Sequence, residues 1–282
     1  MASNPKRVYY YHADSNAFGG HIETPVKQLI PVAAPSSLPP VGGYESAHTG
    51  RYQLEGILSF ESAHTQVAGS VSHKTGGWTT LASATVEGLN ILNVITADRI
   101  VAQIATENPP EGYIPTVTFV GTQIQNLCVS GFPVEPVFDL GMCDQGLAAG
   151  QFPKTALFEH EPFLKRAADQ CEHMNDPKAL PAWVQDRTIP AWVRERYTWD
   201  NAARIRERAA VLCSLVSEVR KPFPGRPFGH VLEIPEIGRV FLGELLLDHN
   251  SYRIIGMRLE LGCGTQGSLS ACTAGKEGVG IP

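Results

Sequence analysis

A chain of 282 residues with a formal net charge of -5 can bury a substantial core and carries no basic excess that would suit nucleic acid. Charged residues make up only 18%, while Gly (27) and Pro (21) are plentiful, which favours many short strands joined by turns over a helical bundle. No apolar run of about 18 residues occurs and MASNPKRVYYYHADSN lacks the apolar core of a signal peptide, so neither a membrane span nor export is expected and the cytoplasm is the default location.

Residues 1–43 read as a Pro-rich N-terminal arm. Val8 to Tyr11 can form an edge strand, but Pro25, Pro31, Pro35, Pro39 and Pro40 argue against a central strand or a long helix there. From Tyr44 a hairpin pattern begins, with a Gly76-Gly77 turn before Trp78. The pentapeptide ESAHT occurs at Glu45 to Thr49 and again at Glu61 to Thr65, so antiparallel pairing can bring His48 and His64 onto one face.

The centre of the chain is SATVEGLNILNVITADRIVAQIA, followed after NPPEGY by PTVTFVGTQIQNLCVSGFPVEPVFD. Ala84, Val86, Leu92 and Val94 share one parity, and Leu89, Ile91 and Ile95 the other, a pattern expected of strands covered on both faces. The many β-branched residues weigh against a helix over Leu89 to Ala105.

Residues 150–208 change character. EHEPFLKRAADQCEHM and WDNAARIRERAA have helical composition, and the segment is expected to be a helical insertion between strands. Within it PAWV appears twice, at Pro181 to Val184 and Pro190 to Val193, placing Trp183 and Trp192 as matching anchors. AAVLCSLVSEV fits helix or strand, and a strand starting near Ala210 is the better reading. The β domain is thus expected over 44–149 and 209–264, and the Gly- and Ser-rich residues 265–282 as a flexible tail.

Motifs for chemistry are sparse. Gly262 to Gly267 spells G-x-G-x-x-G, but no helix or second strand follows to complete a dinucleotide site, and no catalytic or cofactor-binding residues are assigned. The metal-ligand candidates are His12, His21, His48 and His64, which lack the close spacing of a metal motif. Without C-x-x-C pairs the six cysteines are expected as reduced thiols, Cys128 and Cys213 as small buried apolar groups and Cys263 and Cys272 as accessible ones.

The strings ATVEGLNILNVITADRIVAQ, FVGTQIQNLCVSGFPVE, EIPEIGRVFLGEL and GMRLELG resemble, in order and content, uncharacterised bacterial β-rich proteins of the choice-of-anchor type of surface domain. That resemblance implies a surface-associated β domain and no catalytic residues. The combined expectation is a mainly β protein, an antiparallel sandwich or related layered sheet with a helical insertion. Its expected role is that of a non-enzymatic structural or binding module that forms homo-oligomers or filaments. A metal-assisted hydrolase using the histidines of the N-terminal third is the alternative.

Overall fold

Strands dominate the computed structural model, which describes residues 8–25, 27–54, 56–148, 150–197 and 201–277. The chain opens with β1 (Ala13–Thr24), β2 (Gln28–Ala33) and β3 (Ser36–Ser37). Four strands follow: β4 (Gly43–Thr49), β5 (Tyr52–Leu54), β6 (Leu58–Phe60) and β7 (Ser62–Val71). The long hairpin of β8 (Trp78–Ile91) and β9 (Ile95–Asn108) comes next. Short strands β10 (Thr116–Thr118), β11 (Gln123–Gln125), β12 (Cys128–Val129), β13 (Phe132–Pro133) and β14 (Glu135–Phe138) complete this half. Helices α1 (Glu161–Asn175), α2 (Ala191–Tyr197) and α3 (Ala202–Arg208) form the insertion. After it come β15 (Ala210–Ser214), β16 (Val216–Arg220), β17 (Arg226–Phe228), β18 (Val231–Ile234), β19 (Gly238–Asp248), β20 (Ser251–Cys263) and β21 (Thr265–Glu277).

Two antiparallel sheets pack face to face. One runs β17-β18-β19-β20-β21-β1-β2, with β15 on β19 and β3 on β1; the other is built on β9, β8 and β7 and ends at β4. This is the layered sandwich expected from composition. The sheets meet along a seam of small residues, where Ala17, Ala82, Ala84, Ala102 and Ala271 are buried. Hydrogen bonds cross it as well: Ser15 Oγ donates to the Ser83 carbonyl at 2.9 Å, and Cys272 Sγ to the Ile100 carbonyl at 3.1 Å. A Cβ at Gly256 would lie 2.9 Å from Ile100 Cγ2, so the approach there leaves no room for a side chain.

The double parity of the central run has a different cause from burial on both faces. Leu92 and Asn93 (φ 55° and 54°) with Val94 form the three-residue link that turns β8 into β9 between the paired Ile91 and Ile95, and the Val94 N–H donates to the Ile91 carbonyl at 3.0 Å. In β8 the core face takes Ala82, Ala84 and Val86, then Leu89 and Ile91, the switch falling at Gly88 (φ +63°). In β9 it takes Ile95 and Ala97, then Ile100, Ala102 and Ile104. The other sheet switches likewise. β19 buries Val240 and Leu242 before Gly243 (φ +59°) and Leu245 and Leu247 after it; β20 changes parity at Gly256 and β21 at Cys272 (φ +57°). Each strand in the row contributes one such residue, so pairing keeps its register on both sides, from Met257–Ala271 to Ile255–Thr273.

Two expectations at the termini need correction. Residues 13–24 are no arm but β1, hydrogen-bonded on both sides to β21 and β2. The prolines fall outside β1, and Pro31 sits in the edge strand β2, where a missing N–H is tolerated. Residues 265–277 are no flexible tail but β21, between β20 and β1. Their small side chains answer a close approach: a Cβ at Gly267 would stand 2.3 Å from the His21 carbonyl oxygen. Residues 1–7 and 278–282 lie outside the described residues.

The insertion is helical, and it is not a separable layer. Phe163, Leu164 and Ala167 of α1 and Ile205 of α3 enter the main core. Gln170 clamps the β15–β16 corner, accepting from Ser214 N–H at 2.7 Å and donating to the Ser214 carbonyl at 3.0 Å. A second apolar cluster, with Val184, Val193, Tyr197, Phe228, Val231 and Phe241, joins the insertion to the sheet of β19. The helix ends before the strand at Ala210, with Ala209 in the left-handed region (φ 48°).

Candidate functional site

The four candidate histidines do not converge. His12, just before β1, and His21 within it are exposed, His21 lying 3.4 Å from the carboxylate of Glu23. His48 and His64 sit directly opposite each other on β4 and β7, both exposed on the outer face of the other sheet. The repeated pentapeptides thus pair with each other, as their register allows. Among the described residues no group of three His, Cys, Asp or Glu side chains is placed to hold a metal ion. Cys128, Cys143, Cys171, Cys213 and Cys272 are free thiols; Cys272 is fully buried, against the accessible position expected, and the side chain of Cys263 lies outside the described residues.

The densest set of ionisable groups was not legible in the sequence, because its members are scattered over α2, the β17–β18 turn, β19 and β20. Glu244 is 1% exposed and takes Arg258 in two bonds, Nε to Oε2 at 2.6 Å and Nη2 to Oε1 at 3.1 Å. Arg196 donates to the same Oε1 at 3.1 Å. Burial alone would raise the Glu244 pKa, but the Arg258 hydrogen bond and charge, with His230 and Arg196, hold it below the usual carboxylate range. Both guanidiniums lie over the Phe241 ring, Arg258 at 3.8 Å and Arg196 at 4.9 Å from its centroid. Beside them the Tyr197 hydroxyl meets His230 Nε2 at 3.2 Å. Burial pushes the Tyr197 phenol up and the His230 imidazole down to about 4, so both stay neutral near neutral pH.

This cluster ties the insertion to the sheet. Arg196 and Tyr197 come from α2; His230, Glu244 and Arg258 come from the sheet side. None of the five lines the clefts described here. The largest of these, about 620 Å³, runs between β10 and the 140–153 loop and is lined by Val117, Val120, Leu147 and Leu157 with Lys74 and Glu107. A second, of about 260 Å³, lies between the insertion and the β16–β17 strands.

The surface feature with the clearest physical consequence is one side of the sandwich, where each sheet ends in an unpaired edge. Among the described residues β2 pairs only with β1, and β4 only with β7. The two ends are joined: the Ala34 N–H donates to Thr49 Oγ1 at 2.9 Å, and Thr65 Oγ1 donates to the Ala34 carbonyl at 2.7 Å. Along this side Leu29, Val32, Val41 and Tyr44 are 78%, 53%, 87% and 63% exposed. β2 is blunted by Pro31 and by a bulge opposite Phe18 to Gly20. β4, GYESAHT, is seven residues long, has no proline and carries one acidic side chain, Glu45.

Fold and surface together define a two-sheet antiparallel β-sandwich, capped by helices on one outer face and open along one lateral side. The chain belongs to the family described as Domain of unknown function (DUF8256), whose model matches residues 9–248, from before β1 to the end of β19. No curated protein matches the chain. No solved structure matches it either.

Proposed function

We propose that this protein is a non-enzymatic β-sandwich module that associates with further copies of itself through the open edge of β4. The observation that carries the reading is that edge itself: an unblunted strand with exposed Tyr44 on it and Val41 at its entrance. An unpaired strand leaves a row of backbone donors and acceptors free to template another strand. Antiparallel pairing of two β4 strands is self-complementary, as a two-fold interface requires. Centred on Ser46, it sets Tyr44 of one copy opposite His48 of the other, and the reverse. Surface display, implied by the choice-of-anchor resemblance, is compatible with such a module and belongs to the same proposal.

The test is sedimentation velocity of the wild type beside a Val41→Lys, Tyr44→Lys double variant. Like charges at the edge should shift a concentration-dependent dimer or larger species to monomer, with far-UV circular dichroism unchanged. Identical sedimentation of the two proteins would remove β4 as the contact.

A further inference from the structure

The repeated pentapeptide ESAHT puts two imidazoles side by side on one chain. β4 and β7 pair antiparallel with His48 directly opposite His64, and the flanking pairs Ala47–Thr65 and Ser46–Gln66 hold that register. Directly opposed residues have Cβ atoms about 4.5–5.5 Å apart, and their side chains leave the sheet on the same side. That side is the outer face. Ala47, Ala63 and Thr65, of the opposite parity, turn toward the core, while both histidines are exposed. Among the described residues neither imidazole is engaged by a hydrogen bond or an ion pair. His21 has no such neighbour: it stands opposite Leu29 on β2 and Ser268 on β21.

We infer that His48 and His64 form a two-imidazole chelate for a divalent transition-metal ion of the nickel, copper and zinc group. Neutral imidazole suits these ions, whereas Mg2+ and Ca2+ call for oxygen ligands that this pair does not supply. Hydrogen-bonded strands hold the two rings close together, so once one ring has bound the ion the second meets it at high effective concentration. The other coordination positions face solvent and take water. Ser46 and Gln66, the next pair on the same face, offer acceptors for its protons. With two protein ligands this is a surface capture site, unlike the closed four-ligand site of a structural zinc. Both ligands come from one chain, so the site stands whether or not β4 is paired with another copy.

Ni2+ held by nitrilotriacetate is the probe, because that chelator leaves two adjacent positions on the ion open. Titrated by calorimetry into the full chain without an added tag, near neutral pH, it should bind the wild type at one tight site. His48→Ala and His64→Ala should each weaken binding at least about tenfold through loss of the chelate, and His21→Ala should leave it unchanged. Both positions are exposed, so the variants should keep the far-UV circular dichroism of the wild type. No binding at millimolar probe, wild-type affinity in either His48→Ala or His64→Ala, or an equal loss in His21→Ala would overturn the inference.

Discussion

Glu244 shows how much a single buried residue can organise. With 1% of its surface exposed it holds two guanidiniums from opposite sides, and Arg258 passes its own remaining arm to Glu260 at 2.5 Å. Burial disfavours the Arg258 guanidinium, yet Glu244 and Glu260 more than offset this and raise its pKa. Breaking such a buried pair by removing one partner costs about 3–5 kcal/mol. His230, wholly buried beside this group, adds a pH dependence. Burial, the largest cause, lowers its pKa from 6.5 to about 4; Glu244 acts the other way, and Arg196 and Arg258 reinforce the lowering. The unfolded chain therefore binds the extra proton first as pH falls. The contribution of His230 is complete above pH 6.5 and is lost progressively down to about pH 4, a change of up to about 3 kcal/mol. Urea unfolding of the wild type should lose stability across that window, and His230→Gln should flatten the profile. Equal slopes for both proteins would mean that this imidazole does not stay neutral in the fold.

At the scale of elements, the insertion tests how far composition can be trusted. Its helices were legible from Ala, Arg and Glu content, and the strand start at Ala210 from the shift in pattern after α3. Its attachment was not legible, because Gln170 bonds to Ser214, 44 residues on, and Phe163, Leu164 and Ala167 enter a core shared with strands from both halves of the chain. Replacing residues 154–208 with a short Gly/Ser linker removes these side chains and uncovers Phe228, Phe241 and Glu244. Such a chain should lose cooperative thermal unfolding in the near-UV; a sharp transition would show that the sandwich stands alone.

The same limit explains the readings at β1, β21 and the central hairpin. The prolines from Pro25 to Pro40 argue against a central strand in the first forty residues, but all five of them follow the twelve residues of β1. Glycine, serine and alanine in β21 read as looseness, whereas Gly267 makes room for the neighbouring strand β1, and Ala271 and Cys272 fit the close seam between the sheets. In β8 the alternation was visible, and the switch at Gly88 was hidden because one left-handed residue exchanges the two faces without changing composition. Of the candidate sites, the His48–His64 pair follows from a repeated string, whereas the Glu244 cluster joins residues with no shared local pattern.

For the whole molecule, the sandwich resolves most of the exposed-edge problem internally. Ile91 is fully buried, and Val117 is covered at 7% exposure, so the long central runs do not need a second copy. Nor can residues 13–24 act as an exchangeable arm, since as β1 they hold β21 to β2. Among the described residues the unblunted edge left open on this side is β4, and in the proposed assembly another copy closes it. Hydrogen–deuterium exchange at several protein concentrations tests this most directly. Peptides covering Gly43–Thr49 should gain protection as concentration rises, while peptides covering Gln28–Ala33 of the blunted edge stay unchanged. Exchange in Gly43–Thr49 that is the same at every concentration would contradict it.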